Sequence, residues 1–154
     1  MAEYLLTSSL TINLPRKQVF DFFSNAANLE RITPPELKFH IVTAQPLELK
    51  QGALIDYELK MRGIPVKWRT EIYVWNPPHS FTDRQLSGPY KQWIHRHTFT
   101  ELEENKTLID DEVKYRLPLE PIGDIAHPLV RAELDRIFAF RQKAVAEILG
   151  AEQG

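Results

Sequence analysis

Cysteine is missing from the 154-residue sequence, and its absence excludes a catalytic thiol, a cysteine-ligated zinc site and a disulfide-stabilised scaffold. An excess of charge of one sign is also missing, because 19 Lys and Arg residues stand against 21 Asp and Glu residues. No basic block is present that could contact a phosphate backbone, so the sequence disfavours nucleic-acid binding.

Long hydrophobic runs are missing as well. No window approaches the roughly 18 apolar residues of a transmembrane helix, and the first residues lack the basic stretch and apolar run of a signal peptide. We therefore expect a cytoplasmic protein that is not integral to a membrane. The composition, with 43% hydrophobic and 26% charged residues, is typical of a globular chain, and we interpret residues 1–154 as a single domain.

Motifs for covalent catalysis and phosphoryl transfer are missing too. The serines lie in no nucleophile elbow, and the chain contains neither a glycine-rich phosphate loop nor a nucleotide-binding motif. The sequence therefore predicts no nucleotide or other cofactor.

The hydrophobic pattern predicts one strand and two short helices at the start of the chain. Apolar residues alternate over residues 4–14, which is typical of a half-buried strand that ends before Pro15. Helical spacing follows to about residue 25, and a second short helical turn over residues 28–33 ends at Pro34-Pro35.

From residue 39 to residue 117 the pattern is that of strands. Turns that contain glycine, proline or asparagine separate the predicted strands, which occupy residues 39–42, 55–61, 66–74, 80–86, 91–103 and 106–117. From Pro128 to Leu149, apolar residues recur every three or four positions, which predicts a long amphipathic helix that ends at Gly150. These elements predict an α+β fold in which a curved antiparallel sheet of about seven strands wraps around the long helix and leaves a cavity.

Several groups of residues in the second half of the chain carry a resemblance to a known superfamily. They are Phe81-Thr82-Asp83-Arg84-Gln85, Gly88-Pro89-Tyr90, Trp93, His95, His97-Thr98-Phe99, Asp111, Tyr115, Pro118 and Ile137-Phe138-Ala139-Phe140-Arg141. Together with the order of elements, they resemble the helix-grip fold of the START-like or SRPBCC superfamily over residues 3–149, in particular a bacterial ligand-binding, polyketide cyclase-like branch. The resemblance implies a hydrophobic ligand cavity but no particular reaction, because carriers, sensors and enzymes share this scaffold.

Alternation also predicts a line of polar side chains on the inner face of the sheet. The connection formed by residues 88–90 is short, and it places Gln85 opposite Trp93 on the next strand. The same pairing places Asp83 opposite His95. Because directly opposed Cβ atoms lie roughly 4.5–5.5 Å apart, we expect a hydrogen bond between these two side chains.

The following strand extends this polar line. Asp111 lies opposite His97 in one register and diagonal to it after a two-residue slip, and the turn near Asn105 leaves the register open. Buried His–Asp pairs either satisfy only each other or also orient a ligand, and both interpretations stay open at this point.

Two chemical alternatives use the same side chains. His95 and His97 point the same way from one strand and, with Asp111, form the two-His, one-carboxylate set of non-haem iron sites. Because each His already has a carboxylate partner, we expect no metal. A His oriented by an Asp, with Tyr115 across the cavity, would instead be suited to general acid–base catalysis.

The sequence thus predicts a binding protein for a small hydrophobic ligand of lipid-like, polyketide-like or aromatic character. The predicted apolar contacts are Tyr57, Trp68, Ile72, Phe99, Val113 and Phe138, and the predicted polar contacts are Asp83, Gln85, Trp93, His95, His97, Asp111 and Tyr115. Arg141 is interpreted either as a side chain that reaches the surface or as an anion-pairing group at the cavity edge.

Two other functions are compatible with the same sequence. The first is an enzyme of the polyketide cyclase or dehydratase type, with catalytic candidates His95, His97, Asp83 and Asp111. The second is a chaperone-cofactor-like interaction domain, which would require an exposed apolar patch outside the cavity. The identity of the ligand and of any protein partner stays open.

Overall fold

The computed structural model describes residues 2–44, 47 and 49–150. Its strands are β1 (Tyr4–Ile12), β2 (His40–Ile41), β3 (Leu54–Met61), β4 (Ile64–Asn76), β5 (Ser80–Ser87), β6 (Gln92–Glu103) and β7 (Lys106–Arg116). Its α-helices are α1 (Arg16–Phe23) and α2 (His127–Leu149), and short 3₁₀ segments span Ala26–Ile32, Pro35–Leu37 and Ile122–Ala126.

The strands form one antiparallel sheet with the order β1-β7-β6-β5-β4-β3-β2 in the described part of the chain. The strands from β2 to β7 pair with their neighbours along the chain, whereas β1 crosses over to pair with β7 and places Leu6 opposite Val113. The sheet is curved and accompanied by the long helix α2, so the predicted α+β helix-grip fold is confirmed.

The apolar core lies between the sheet and the helices in two main clusters. The cluster next to α1 includes Phe20, Phe23, Phe81, Phe99 and Val145, and the second cluster includes Trp68, Trp93, Tyr115, Leu134 and Phe138. Helix α2 contributes to both clusters because its apolar residues recur along one stripe. No helix among the described residues is long and apolar enough to cross a membrane.

A β-bulge in β4 corrects one predicted strand face. Simple alternation places Val74 on the same inner face as Ile72, but the pairing of β4 with β5 shifts register between these residues. Val74 is consequently 39% exposed, and Trp75 turns inward to pack on Phe20 with ring centroids 5.2 Å apart. An inserted residue reverses the facing of every residue beyond it, and a sequence pattern does not show where the insertion falls.

The 3₁₀ segment before α2, which the sequence pattern does not predict, is attached to β1 and β7 by a small polar cluster. The Tyr4 hydroxyl donates to Asp124 at 2.8 Å, and the Tyr115 hydroxyl and His127 Nε2 lie 2.9 Å apart. The rings of Tyr4 and His127 also stack with centroids 3.5 Å apart. These contacts fix the start of α2 relative to the sheet.

Candidate functional site

A cavity of about 170 Å³ lies inside the fold, which is below the roughly 300–1,000 Å³ typical of ligand pockets. Its wall is mostly apolar. The sheet contributes Tyr57, Trp68, Ile72 and Trp93, helix α2 contributes Leu134, Ile137 and Phe138, and the segment after α1 contributes Leu29, Ile32 and Leu37. Apart from tyrosine and tryptophan, polar side chains are confined to a few positions: Thr33, Thr70, Asp83, His95, His97 and Arg141.

Eight of the thirteen side chains predicted to contact a ligand line this cavity. They are Tyr57, Trp68, Ile72, Asp83, Trp93, His95, His97 and Phe138. Three others, Phe99, Val113 and Tyr115, are buried in the core instead. Tyr115 does not reach across the cavity, because its hydroxyl is next to His127 at the start of α2. Asp111 contacts both histidines and is not one of the cavity-lining residues.

Gln85 has a structural position that differs from its predicted one. Its Nε2 donates to the carbonyl of Tyr90 at 2.6 Å, and its Oε1 accepts from the Tyr90 N–H at 3.1 Å. The described β5–β6 ladder keeps the predicted register but ends at the pair Arg84–Ile94, so Gln85 forms no ladder pair with Trp93. The turn is wider than expected, and the Gln85 amide satisfies backbone groups that no strand partner reaches.

The two histidines and two aspartates exchange the partners expected from their register. Asp83 lies opposite His95, as predicted from the strand pattern. Asp111 lies opposite His97, which is one of the two registers that the sequence left open. However, His95 Nε2 donates to Asp111 Oδ1 and His97 Nε2 donates to Asp83 Oδ2, each at 2.7 Å. The hydrogen bonds therefore run diagonally, which long side chains on neighbouring strands can reach. We call these four residues the His–Asp cluster.

Packing explains why the two rings lie in this arrangement. The rings of His95 and His97 stack with centroids 3.7 Å apart, and the other face of His97 stacks on Phe81 at 4.2 Å. His95 in turn packs against Phe138 of α2 with centroids 5.7 Å apart. The ring orientations are thus set by neighbours above and below the cluster and not by the opposing carboxylate alone.

Both carboxylates of the cluster are ionised. Burial is the largest influence on Asp83 and opposes its charge, but the hydrogen bond from His97 together with the nearby positive groups lowers its pKa. Burial also opposes the charge of Asp111, but the nearby Arg141 guanidinium and the hydrogen bonds from His95 and His97 hold the pKa of Asp111 well below its usual range.

The pKa values of the two histidines shift in opposite directions although the rings are adjacent. Burial and the charge of His97 lower the pKa of His95 in spite of its hydrogen bond to Asp111. Burial acts against the charge of His97 as well, but hydrogen bonds to Asp111 and Asp83 raise its pKa. His97 also has its Nδ1 3.3 Å from Asp111 Oδ1, so it lies between two carboxylates. Near neutral pH we therefore assign the neutral form to His95 and the charged form to His97.

Arg141 of α2 completes the polar wall. Its side chain is 14% exposed, and its Nη2 lies 3.7 Å from Asp111 Oδ1. The guanidinium carbon also lies 5.5 Å from the ring centroid of Phe23 and 5.9 Å from that of Phe138. Of the two interpretations from the sequence, the structure supports a group at the cavity. With Asp83, Asp111 and charged His97, Arg141 makes the site electrically balanced.

The cluster also has donor atoms suited to a metal ion. One ligand atom each from Asp83, His95 and His97 lie within 4.8 Å of one another, and two histidines with one carboxylate suit iron. Both Nε2 atoms, however, already donate to carboxylates. Metal binding would have to break these hydrogen bonds, so the sequence-based expectation of no metal stays a prediction.

Residues 12–140 match the protein family described as "Polyketide cyclase / dehydrase and lipid transport". The chain belongs to this family. Membership confirms the START-like resemblance of the sequence. No curated protein sequence is significantly similar to this polyketide cyclase/dehydrase and lipid transport family member.

Solved structures share the fold of this family member. The Zhui aromatase/cyclase from Streptomyces sp. R1128 has a TM-score of 0.77 at 17% identity, over 96% of this chain and 94% of that chain. A START superfamily protein from Mycobacterium smegmatis has a TM-score of 0.67 at 13% identity, over 94% and 98% of the two chains. A nucleoside-diphosphate sugar epimerase from Corynebacterium glutamicum is 27% identical with a TM-score of 0.66, over 92% of this chain but 28% of that chain.

Some cavity residues were not identified from the sequence. Thr70 and Phe81 line the cavity. Each lies two residues from a predicted contact on the same strand, Trp68 and Asp83 respectively, so strand alternation would have identified them. Tyr90 lies in the wide turn and carried no such signal. The wall residues of the segment after α1 were also missed, because irregular and 3₁₀ segments have no periodicity that shows which side chains face inward.

Proposed function

We propose that this protein binds a small, largely apolar molecule in the cavity and that the His–Asp cluster holds the polar end of that molecule. The observation that carries the proposal is the location of a buried, hydrogen-bonded polar cluster at one wall of an otherwise apolar cavity. Burying four ionisable groups is costly, and apolar side chains at these positions would stabilise the fold equally well. Stability alone therefore does not explain the cluster. A family described by cyclase, dehydrase and lipid-transport members supports an apolar ligand.

The arrangement of the cluster favours binding over reaction. Each His Nε2 already donates to a carboxylate, and stacking fixes both rings. A fixed array loses little conformational entropy when a ligand forms hydrogen bonds with it. Such an array is what a selective binding site requires.

A specific observation supports a second candidate, an enzyme of the cyclase or dehydratase type. Because a carboxylate only accepts hydrogen bonds, the His95 proton must be on Nε2, facing Asp111. In the neutral ring, Nδ1 then carries a free electron pair and is a potential proton acceptor at the cavity wall. His97 is charged and would serve as the acid rather than the base.

The proposal is tested by filling the cavity. Thr70→Phe places an aromatic ring inside it, and Val74→Phe places the same ring on the same strand at a half-exposed outer position. Native mass spectrometry of freshly purified wild-type protein and Val74→Phe should show a co-purified small molecule that Thr70→Phe lacks. Circular dichroism checks that both variants are folded. If neither the wild type nor Val74→Phe carries or binds any apolar molecule, the proposal is wrong.

A further inference from the structure

Four buried polar atoms of cavity-lining side chains have no hydrogen-bond partner among the described residues: Trp68 Nε1, Thr70 Oγ1, His97 Nδ1 and Arg141 Nη2. His97 Nδ1 lies 3.3 Å from Asp111 Oδ1, and the Thr70 hydroxyl can accept as well as donate. Trp68 Nε1 and Arg141 Nη2 are therefore the two groups that require an acceptor from a ligand. Buried polar atoms are nearly always paired, and an unpaired buried donor is costly, more so when it is charged. Indole and guanidinium N–H groups can only donate. A molecule that fills the cavity beside them must therefore supply acceptor atoms.

The surroundings of Arg141 indicate that the missing acceptor is an anion. The guanidinium is held between Phe23 and Phe138, where little water reaches it. Its nearest carboxylate oxygen, Asp111 Oδ1, is 3.7 Å from Nη2, which is beyond hydrogen-bond distance. That same oxygen already accepts from His95 at 2.7 Å. Asp111 thus lowers the energy of the buried charge without occupying the Nη2 donor.

The carboxylates of the site do not exclude an anion from the cavity. Asp111 is not part of the cavity wall, and Asp83, which is, accepts a hydrogen bond from His97 at 2.7 Å. We propose, on the basis of the proposed binding function, that the ligand is a weak acid bound as its anion. Its acidic oxygen accepts a hydrogen bond from Arg141 Nη2, and its apolar body lies against the aromatic wall. The chemical class is an aromatic or alicyclic carboxylate, or an acidic phenol or enol, of small size.

The test uses three naphthalene probes that share one apolar body. 2-Naphthoate carries an anion, 2-naphthamide carries a neutral acceptor of nearly the same shape, and 2-ethylnaphthalene carries no acceptor. Dissociation constants are measured for the wild type, Arg141→Met and the matched control Arg136→Met. Arg136 lies on the same helix but is exposed, next to Glu36.

We expect the wild type to bind 2-naphthoate more tightly than 2-naphthamide by about ten- to a hundredfold, because hydrogen bonds between charged groups are the stronger ones. Arg141→Met should remove this preference and leave the affinity for 2-ethylnaphthalene within about twofold, and Arg136→Met should change neither. The comparison of probes on the wild type needs no variant and stands even if Arg141→Met fails to fold.

The possible failures are distinguishable. If the wild type binds naphthoate and naphthamide equally well and also binds ethylnaphthalene, the inference of an anionic ligand is wrong and the proposed binding function is intact. A naphthoate preference that persists in folded Arg141→Met places the anion elsewhere and also overturns the inference. If the wild type binds none of the three probes, the proposed function fails and this inference fails with it.

Discussion

His97 donates a hydrogen bond to Asp83 at 2.7 Å although the residue directly opposite Asp83 in the sheet is His95. The exchange leaves His97 between two carboxylates and His95 with one. Two adjacent imidazoles consequently have different charges. This difference underlies the first two predictions below.

The first prediction concerns the pH dependence of stability. The folded-state pKa of His97 is raised above its ordinary value of 6.5. The stabilisation from charged His97 is therefore fully present below about pH 6.5 and is lost as the pH rises through the raised pKa. We expect His97→Gln to lower the free energy of unfolding by about 3 kcal/mol near pH 5.5 and by progressively less toward alkaline pH.

Urea unfolding of the wild type and His97→Gln across pH values measures this difference. His40→Gln, at an exposed position in β2, is the control and should show little pH-dependent change. The pKa of His95 is lowered, so its contribution to the free energy of unfolding rises with pH and opposes that of His97. The quantity to compare is therefore the difference in unfolding free energy between variant and wild type at each pH. A loss that grows as the pH rises would contradict the assignment of charge to His97.

The second prediction links ligand binding to proton uptake. The charged groups that act on His95 are His97 of β6, Asp111 of β7 and Asp83 of β5, and Arg141 of α2 lies beside Asp111. Their two negative and two positive charges balance, so an added anion should favour protonation of His95. We expect the protein to take up close to one proton when it binds 2-naphthoate at about pH 7.5, measured by calorimetry in buffers of different ionisation enthalpy. Binding of 2-ethylnaphthalene should cause no proton uptake. Absence of uptake with naphthoate in the wild type would count against the charge assignment.

Much of the fold was predictable because the sheet presents long, regularly alternating strands. β3 and β6 show their inner faces directly in the sequence. The bulge that turns Val74 outward and Trp75 inward was not predictable, because it depends on how β4 pairs with β5. The segment between α1 and β2 forms part of the cavity wall, and its 3₁₀ turns carry no usable period.

In the candidate site the register of β5 against β6 was predictable, but the register of β6 against β7 and the side-chain partners were not. The pairing of β5 with β6 places Asp83 and His95 opposite each other, as expected, although the turn between the strands is wider than predicted. Which carboxylate each ring contacts is decided by stacking on Phe81 and Phe138, and that is tertiary packing. The same limit applies to Gln85. Its amide forms hydrogen bonds with the backbone N–H and C=O of Tyr90, and the sequence does not show that these groups lack a strand partner.

The third prediction concerns Gln85. Gln85→Ala leaves the buried N–H and C=O of Tyr90 without their side-chain partner, which typically costs about 1–3 kcal/mol of unfolding free energy. Gln92→Ala removes an amide of the same type whose partners, Glu3 at 2.9 Å and the Lys114 carbonyl at 3.5 Å, are reached in exposed hydrogen bonds, and it should cost less than about 0.5 kcal/mol. Chemical denaturation of both variants gives the comparison. Equal losses would mean that Gln85 has no special role in the turn.

The fourth prediction is that the purified protein holds no stoichiometric transition metal. Both Nε2 atoms of the histidines are engaged with carboxylates, and a metal would have to displace these hydrogen bonds. Elemental analysis of the wild type, His97→Ala and the control His40→Ala checks this. One equivalent of iron or zinc that is lost only in His97→Ala would overturn the prediction and favour the metal site at Asp83, His95 and His97.

The most direct test of binding without reaction is calorimetric titration combined with product analysis, using the molecule that co-purifies with the wild type. We expect His95→Ala to bind this molecule roughly tenfold to a hundredfold more weakly and the wild type to return it chemically unaltered after prolonged incubation. A molecule that is altered by the wild type would contradict the account. So would a His95→Ala variant that retains affinity but reduces turnover by roughly 10²–10⁴-fold, and the cavity would then be the active site of an enzyme.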